Sequence, residues 1–277
     1  MEMRVFIYKE PRLESVDYNE VASFIEKKLP AVEVELREPL LEQMIERGEG
    51  RSVESLAVAL AKARVRDLNQ QLGTGRQPLP GEVDFELRRL VNVRSRVFGI
   101  LYDGWILTGI YRDLIHHEEL KMDCINVVFT NQLIATWHAS DKRYHSRTVA
   151  MGSPAVLSVT GLIEAPAKAP GYYVARRSTE ALGFSQDETL ALAKSFTGDH
   201  LRHDDSRITD VAKGYALQPL AYRITGEPFC DDGGCRLYNA HWQADLIQAQ
   251  MGSSYDLCPR HEKVFREFSG TGDFNWI

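Results

Sequence analysis

Three cysteines and one histidine are gathered in the last fifth of this 277-residue chain, as Cys230-x4-Cys235 and Cys258-x2-His261. A zinc ion takes four sulfur or nitrogen ligands in a tetrahedron, and each short pair can supply half of them. The 22 residues between the pairs suffice for one helix and a turn. We therefore predict one structural zinc ion bound by these four residues. The alternative is a set of buried thiols beside an incidental histidine.

Four protein ligands close the coordination shell of a metal and leave no position for water or substrate. We therefore expect this site to stabilise the fold and to take no part in catalysis. The remaining cysteine, Cys124, lies beside an apolar run, and we expect a small buried thiol outside any site.

The composition excludes several classes of protein. Hydrophobic residues make up 44% of the chain and charged residues 26%, as in ordinary globular proteins. The formal net charge of −6 gives no basic footprint for nucleic acid, so we expect no nucleic-acid partner. No run approaches the roughly 20 apolar residues of a membrane span, and charges at Lys9 and Glu10 interrupt any signal-peptide core. We expect a cytoplasmic protein with reduced thiols and no membrane partner.

Apolar periodicity predicts an α/β (α+β) fold, in which a mixed sheet is flanked by helices. The opening β-α-β-α pattern covers a strand over 3–8, a helix over 16–29, a strand over 32–36 and a helix over 53–65. Later segments predict helices over 102–117, 187–196 and 238–251, and strands within 125–137 and 145–163. A long helix is predicted from an N-cap at Ser206 to about Thr225, ended by Gly226 and Pro228.

The segment that precedes the first cysteine resembles the archaemetzincin-type metallopeptidases. Those proteins carry a long helix with the pattern HExxHxxGxxHC, then x4-C, and later a CxxC pair that completes a structural zinc site. In this chain Gly226, Cys230 and Cys235 match the glycine and the first cysteines, and Cys258 and His261 stand at the last pair. The resemblance implies a metzincin-like fold with a C-terminal zinc knuckle.

Three further runs, at 161–168, 213–218 and 235–243, are similar to an uncharacterised archaeal family usually grouped with the metallopeptidases. The resemblance thus covers most of the chain. We treat residues 1–277 as a single archaemetzincin-like domain with a soft boundary near residues 70–80, where glycine and proline predict a loop. The boundary divides an N-terminal part (1–68) from a peptidase-like part (82–277) that contains the zinc knuckle (229–262).

The catalytic half of the pattern is missing. The three histidine positions hold Pro219, Arg223 and Phe229, and the position of the catalytic glutamate holds Leu220. None of these side chains can bind zinc or activate water in that role. Pro219 also removes a backbone donor and is expected to kink the helix. The resemblance therefore indicates a pseudoenzyme.

Polar residues near the expected cleft are the remaining candidates for chemistry. His145, Asp141 and Arg143 belong to a turn between two predicted strands, and this hairpin or the strand after it would line the peptide groove of a metzincin-like fold. The alternative is a solvated turn anchored by Trp137.

On the long helix, Tyr222 and Arg223 point to the same region. Arg223 would pair with Glu164 or Glu227, or bind a ligand carboxylate.

Two other histidine pairs have simpler explanations than a metal. His200 and His203 would share one helical face beside acids, which allows a second zinc site, but their context favours a loop and helix entry. His116 and His117 end a predicted helix, where the helix dipole favours them.

Three functions remain open from the sequence. The first is a zinc-stabilised protein that lacks the catalytic zinc and binds a peptide or protein. The second is an active zinc metallopeptidase whose metal uses unmatched ligands such as His138, His145, His200 or His203. The third is a non-peptidase enzyme that uses the equivalent cleft near Arg223 and His145.

Overall fold

The computed structural model describes residues 3–47, 52–73, 75, 77–92, 99–181 and 199–271. The strands in these ranges are β1 (Met3–Tyr8), β2 (Val32–Arg37), β3 (Arg64–Val65), β4 (Leu101–Asp103), β5 (Cys124–Thr130), β6 (Leu133–His138), β7 (Arg143–Arg147), β8 (Val149–Ala150) and β9 (Ala155–Ser158).

The helices in the same ranges are α1 (Tyr18–Lys28), α2 (Leu40–Arg47), α3 (Val53–Lys62), α4 (Pro80–Val91), α5 (Gly104–Arg112), α6 (Val159–Glu164), α7 (Pro170–Ala181), α8 (Ile208–Thr225), α9 (Gln243–Ile247) and α10 (Pro259–Thr271). A short 3₁₀ helix covers His117–Leu120, and a π-helical turn covers Gln248–Gly252. Among the described helices, none has both the length and the apolar content that crossing a membrane requires.

The strands form two mixed sheets. The larger sheet has the order β2-β1-β5-β9-β8, and its first four strands are parallel. Strand β8 runs antiparallel to β9 at one edge of this sheet. The smaller sheet has the order β3-β4-β6-β7, with a parallel pair between β4 and β6 and antiparallel pairs at both edges.

The larger sheet is covered on both faces, because alternate residues of its strands enter two different cores. In β1, Val5 and Ile7 pack with helices α1, α6 and α8, whereas Phe6 and Tyr8 pack with α2, α3 and α5. Strand β9 alternates in the same way. The predicted mixed sheet flanked by helices is confirmed.

The predicted elements near the N-terminus are confirmed within a few residues. The helix predicted over 102–117 is wrong at both ends. Residues 101–103 form β4, Asp103 caps α5 through the amides of Trp105 and Ile106, and α5 ends at Arg112. The run over 145–163, predicted as strands, ends in helix α6. Ser158 is the last residue of β9, and its side chain caps α6 by accepting a hydrogen bond from the Gly161 amide.

Three further predictions differ or lie outside the described residues. The helix predicted from Tyr238 begins only at Gln243 and passes into the π-helical turn. The helix predicted over 187–196 lies outside the described residues. The boundary near residues 70–80 and the cytoplasmic location stay predictions.

Helix α8 is deeply buried over most of its length. Twelve of its residues, from Ile208 to Ala221, are buried. Ser206 does not cap it as predicted; Arg207 occupies that position and pairs with Asp199 and Asp205. Pro219 lies within the helix, which continues past it to Thr225. Gly226 ends the helix as predicted, with a left-handed φ of 76°.

Helix α8 holds the C-terminal segment through a close contact at Gly214. A Cβ atom at Gly214 would lie 2.0 Å from Oε1 of Gln250 and 2.8 Å from the carbonyl oxygen of Arg236. Gln250 donates to that carbonyl, and the Arg236 guanidinium donates to the carbonyl of Asp210. The absence of a side chain at Gly214 thus allows the segment between the two cysteine pairs to dock on α8.

We predict that Gly214→Ala lowers the free energy of unfolding by about 1–3 kcal/mol, because the added methyl group overpacks this contact. The matched control is Gly109→Ala in α5, where a Cβ atom would meet nothing within 4 Å. That change should stabilise the helix by up to about 1 kcal/mol. Urea unfolding of both variants measures the difference, and equal midpoints would contradict the proposed docking contact.

Candidate metal centre and cleft

The four predicted metal ligands come together at the junction of α8 and α10. Cys230 follows the end of α8, and its amide donates to the carbonyl of Leu237 in an isolated bridge. Cys235 closes a turn through its amide and the carbonyl of Asp232. Cys258 directly precedes α10, and His261 lies in its first turn. All four side chains are buried.

The distances among the four side chains fit one tetrahedral ion. Sγ of Cys230 and Sγ of Cys258 are 3.8 Å apart. Nδ1 of His261 lies 3.2 Å from Sγ of Cys258 and 3.7 Å from Sγ of Cys235. For metal–sulfur bonds of about 2.3 Å, the sulfur–sulfur edge of a tetrahedron is about 3.8 Å. The buried Cys3His cluster can therefore hold one ion.

Burial shifts the pKa values of three of these ligands, Cys230, Cys235 and His261. It raises the pKa of Cys235 to about 12 and also raises the pKa of Cys230, because the thiolate loses hydration. It lowers the pKa of His261 for the same reason, with the charge of Arg260 adding to the effect. Without a cation, burial therefore favours the neutral forms of Cys230, Cys235 and His261. A bound dication would displace the thiol protons and supply the charge that the thiolates need.

A cleft of about 410 Å³ lies beside the C-terminal half of α8. The helix contributes Pro219, Tyr222 and Arg223 to one wall. The other walls come from the start of β5 and from the residues that follow edge strand β8: Leu120, Lys121, Met122, Cys124, Ile125, Asn126, Met151, Gly152, Ser153 and Ala155. The lining is largely apolar, with two basic side chains.

The positions of the degenerate peptidase pattern divide between the cleft and the core. Pro219 and Arg223 line the cleft, and Nη2 of Arg223 donates to the carbonyl of Met122 at 2.8 Å. Leu220 is fully buried and packs in the core instead. Phe229 is half-exposed just before the first cysteine. Among the described residues, groups of three or more potential ligands occur only at the Cys3His cluster and on the β6–β7 hairpin, and neither group lines this cleft.

The structure brings only two of the predicted cleft residues, Tyr222 and Arg223, to the cleft. His145, Asp141 and Arg143 lie on the β6–β7 hairpin and are absent from its lining, because β7 belongs to the smaller sheet.

Glu164 does not pair with Arg223. It lies 3.1 Å from Nζ of Lys168 and 3.7 Å from Nε2 of His203. Both neighbours lower the pKa of Glu164, which falls to about 2, and His203 has the larger effect.

The remaining predicted ligands do not form a metal site in the described residues. His200 is buried and stacks edge-on against Tyr172, so the second zinc site considered for His200 and His203 is not formed there. His116 and His117 contact each other at the start of the 3₁₀ helix and do not end α5.

Sequence reasoning missed the side of the cleft opposite α8. Cys124 is buried as predicted, and its Sγ accepts from Arg4, but it also lies at the cleft wall. The Gly152-Ser153 pair, inside the run over 145–163 that predicted strands, was the available signal for a loop at a sheet edge. Only the pairing of β8 with β9 shows which edge that is.

A family model described as "Probable metallopeptidase family (DUF6775)" matches residues 1–268. No curated protein and no solved structure matches the chain.

We predict that Cys235→Ser abolishes metal binding at the cluster and lowers the thermal midpoint of at least the C-terminal third. Its Sγ is fully buried at the cluster, and folding is coupled to binding, which in zinc-finger peptides is worth on the order of 10 kcal/mol. Cys124→Ser is the control, because it removes a buried thiol outside the cluster. Metal content and melting curves of the two variants test the site; normal metal content in Cys235→Ser would exclude Cys235 as a ligand.

Proposed function

Because the chain belongs to the probable metallopeptidase family, we propose that it is a zinc-stabilised member that binds a peptide or protein segment without hydrolysing it. The observation that carries this proposal is the cleft beside α8, whose helical wall holds Pro219 and Arg223 where the family pattern requires metal ligands. The binding surface of a peptidase is therefore kept while its chemistry is not.

The sheet order supports the metzincin-like arrangement. In that arrangement an edge strand beside the active helix holds a peptide by main-chain hydrogen bonds. Here β8 is the antiparallel edge strand, and Met151 and Gly152 directly after it face α8 across the cleft. Gly226 turns the chain from α8 toward Cys230, as the family pattern expects.

Hydrolysis requires a metal with an open position and a base that deprotonates its bound water. Arg223 places a fixed positive charge at a ligand position and would repel a dication. Leu220, at the position of the base, is fully buried. No cluster of three potential ligands lines the cleft among the described residues. These features argue against a working peptidase centre in this cleft.

The ion at the Cys3His cluster is best assigned as zinc. Three thiolates and one imidazole in a closed tetrahedron are the donors of structural zinc sites, and soft ligands disfavour magnesium or calcium. This ion would hold the end of α8 against α10 and so support the cleft from one side.

The lining of the cleft suggests the class of peptide. Met122, Ile125 and Met151 offer apolar contact, while Arg223 supplies positive charge and Lys121 is already paired with Glu118. An arginine beside an apolar groove suits a peptide that presents an apolar residue next to a carboxylate. We therefore propose acidic or C-terminal peptide segments as ligands.

We predict that Arg223→Gln weakens the binding of carboxylate-bearing peptides by about 10- to 100-fold, as expected for the loss of a charge-assisted contact of about 1.5–3 kcal/mol. The probe is a library of fluorescent heptapeptides with free C-terminal carboxylates, and the same library amidated at the C-terminus separates the two sources of carboxylate. Arg143→Gln on the hairpin is the matched control, because Arg143 does not line the cleft. Unchanged binding in Arg223→Gln would remove Arg223 from the proposed site.

We also predict that the zinc-loaded protein leaves this library uncleaved in mass spectrometry. The physical reason is the absence of an open metal position at the cleft. Cleavage that a chelator abolishes would overturn the non-hydrolytic proposal and favour the active metallopeptidase with unmatched ligands.

A further inference from the structure

The β6–β7 hairpin brings two histidines together on one of its faces. Thr136 pairs with His145, and His138 pairs with Arg143, so His138 and His145 are diagonal neighbours on the same side of the hairpin. Their ring centroids are 5.5 Å apart with an interplanar angle of 79°. Neither ring lines the α8 cleft or belongs to the Cys3His cluster.

The loop between the two strands adds a carboxylate to this pair. Oδ2 of Asp141 lies 3.3 Å from Nδ1 of His138 and 2.8 Å from Nε2 of His145. One donor atom from each residue lies within 4.8 Å of the other two. Lys142 has a left-handed φ of 50°, which lets the loop turn back directly after Asp141.

The contact between His145 and Asp141 is close without being a hydrogen bond. Nε2 of His145 is shielded from solvent and has no hydrogen-bond partner, although Oδ2 of Asp141 is 2.8 Å away. A proton between these atoms would lie outside acceptable hydrogen-bond geometry. Two ligands of one cation lie this close without hydrogen-bonding, because the lone pair of each atom is directed at the ion.

We propose that His138, Asp141 and His145 bind a divalent first-row transition ion such as zinc. Metal–nitrogen and metal–oxygen bonds of about 2.0–2.1 Å give ligand–ligand edges of about 3.3 Å in a tetrahedron and 2.9 Å in an octahedron. The separations of 3.3 and 2.8 Å from Asp141 lie within about 0.5 Å of either edge. Two imidazoles and one carboxylate favour zinc, copper, nickel or cobalt over magnesium and calcium, which prefer oxygen ligands.

The site is open, in contrast to the Cys3His cluster. The three side chains are between 40% and 51% exposed, so water can complete the shell of the ion. The Ser140 hydroxyl lies 3.0 Å from Nδ1 of His138, and the ion would take the place of that contact. The ion would tie the loop to both strands of the hairpin. This inference goes beyond the proposed function and does not depend on it, since its ligands lie outside the cleft.

The test counts metal in the full-length protein. Purified chain is titrated with Co²⁺ after complete removal of metal under reducing conditions. The first equivalent should fill the Cys3His cluster and give intense thiolate-to-cobalt charge-transfer bands. A second equivalent should bind with weak d–d bands alone, since its ligands contain no sulfur. Zinc should displace both equivalents.

Three variants assign the second equivalent. His145→Ala and the more conservative Asp141→Asn should lose it and keep the charge-transfer bands of the first, which also reports that the variant is folded. His117→Ala is the control and should bind both equivalents, because His117 lies outside the hairpin.

If the wild-type chain binds only one equivalent of Co²⁺, the proposal is overturned. Asp141 would then have only its contacts with the two histidines. A second equivalent that persists in both hairpin variants would overturn it equally. The peptide library tests the proposed function separately from the metal count. If the hairpin site binds metal and the library stays uncleaved, both proposals stand.

Discussion

The burial of α8 between the parallel sheet and the C-terminal segment is the constraint on which both main candidate sites depend. Twelve residues of the helix are buried, so its direction is determined by the core rather than by its ends. The exposed last turn then borders the cleft, and Gly226 directs the chain toward Cys230. The bare backbone at Gly214 lets the returning segment dock on the same helix. The cleft and the metal centre are thus two consequences of one packing arrangement.

The two clusters of potential metal ligands differ in burial, the physical property that separates closed structural sites from open ones. The Cys3His cluster offers four buried donors, which close the shell and exclude water. The hairpin offers three donors on side chains that are only partly buried, which leaves positions open. Neither is at the cleft, where the positive charge of Arg223 opposes a dication. Both clusters of potential metal ligands therefore lie apart from the cleft that Arg223 lines.

The charged segment near residue 86 illustrates what one sequence cannot reveal. Glu86 is fully buried and Arg89 nearly so, and Glu86 accepts from Arg89, Arg64 and the Tyr102 hydroxyl. Desolvation of such ions is costly, and only their mutual contacts compensate for it. Arg64 lies on β3 and Tyr102 on β4, so these partners come from separate elements. The sequence shows only that residues 86–89 include three charged side chains, and it does not show which of them are buried.

The sequence by itself determined the features that depend on neighbouring residues. The periodicity of β1, α1 and β2 and the glycine stop of α8 are local patterns, and each has the predicted structure. The spacing within each pair of potential metal ligands is also local, but the fold brings the two pairs together. The resemblance to the metallopeptidase pattern also singled out Pro219 and Arg223, which line the cleft. Only the tertiary structure decided that His145 and Asp141 lie apart from Arg223, that Leu220 is in the core, and that residues 120–126 complete the cleft. These facts depend on which strands pair and which face each side chain takes, and contacts between distant segments set both.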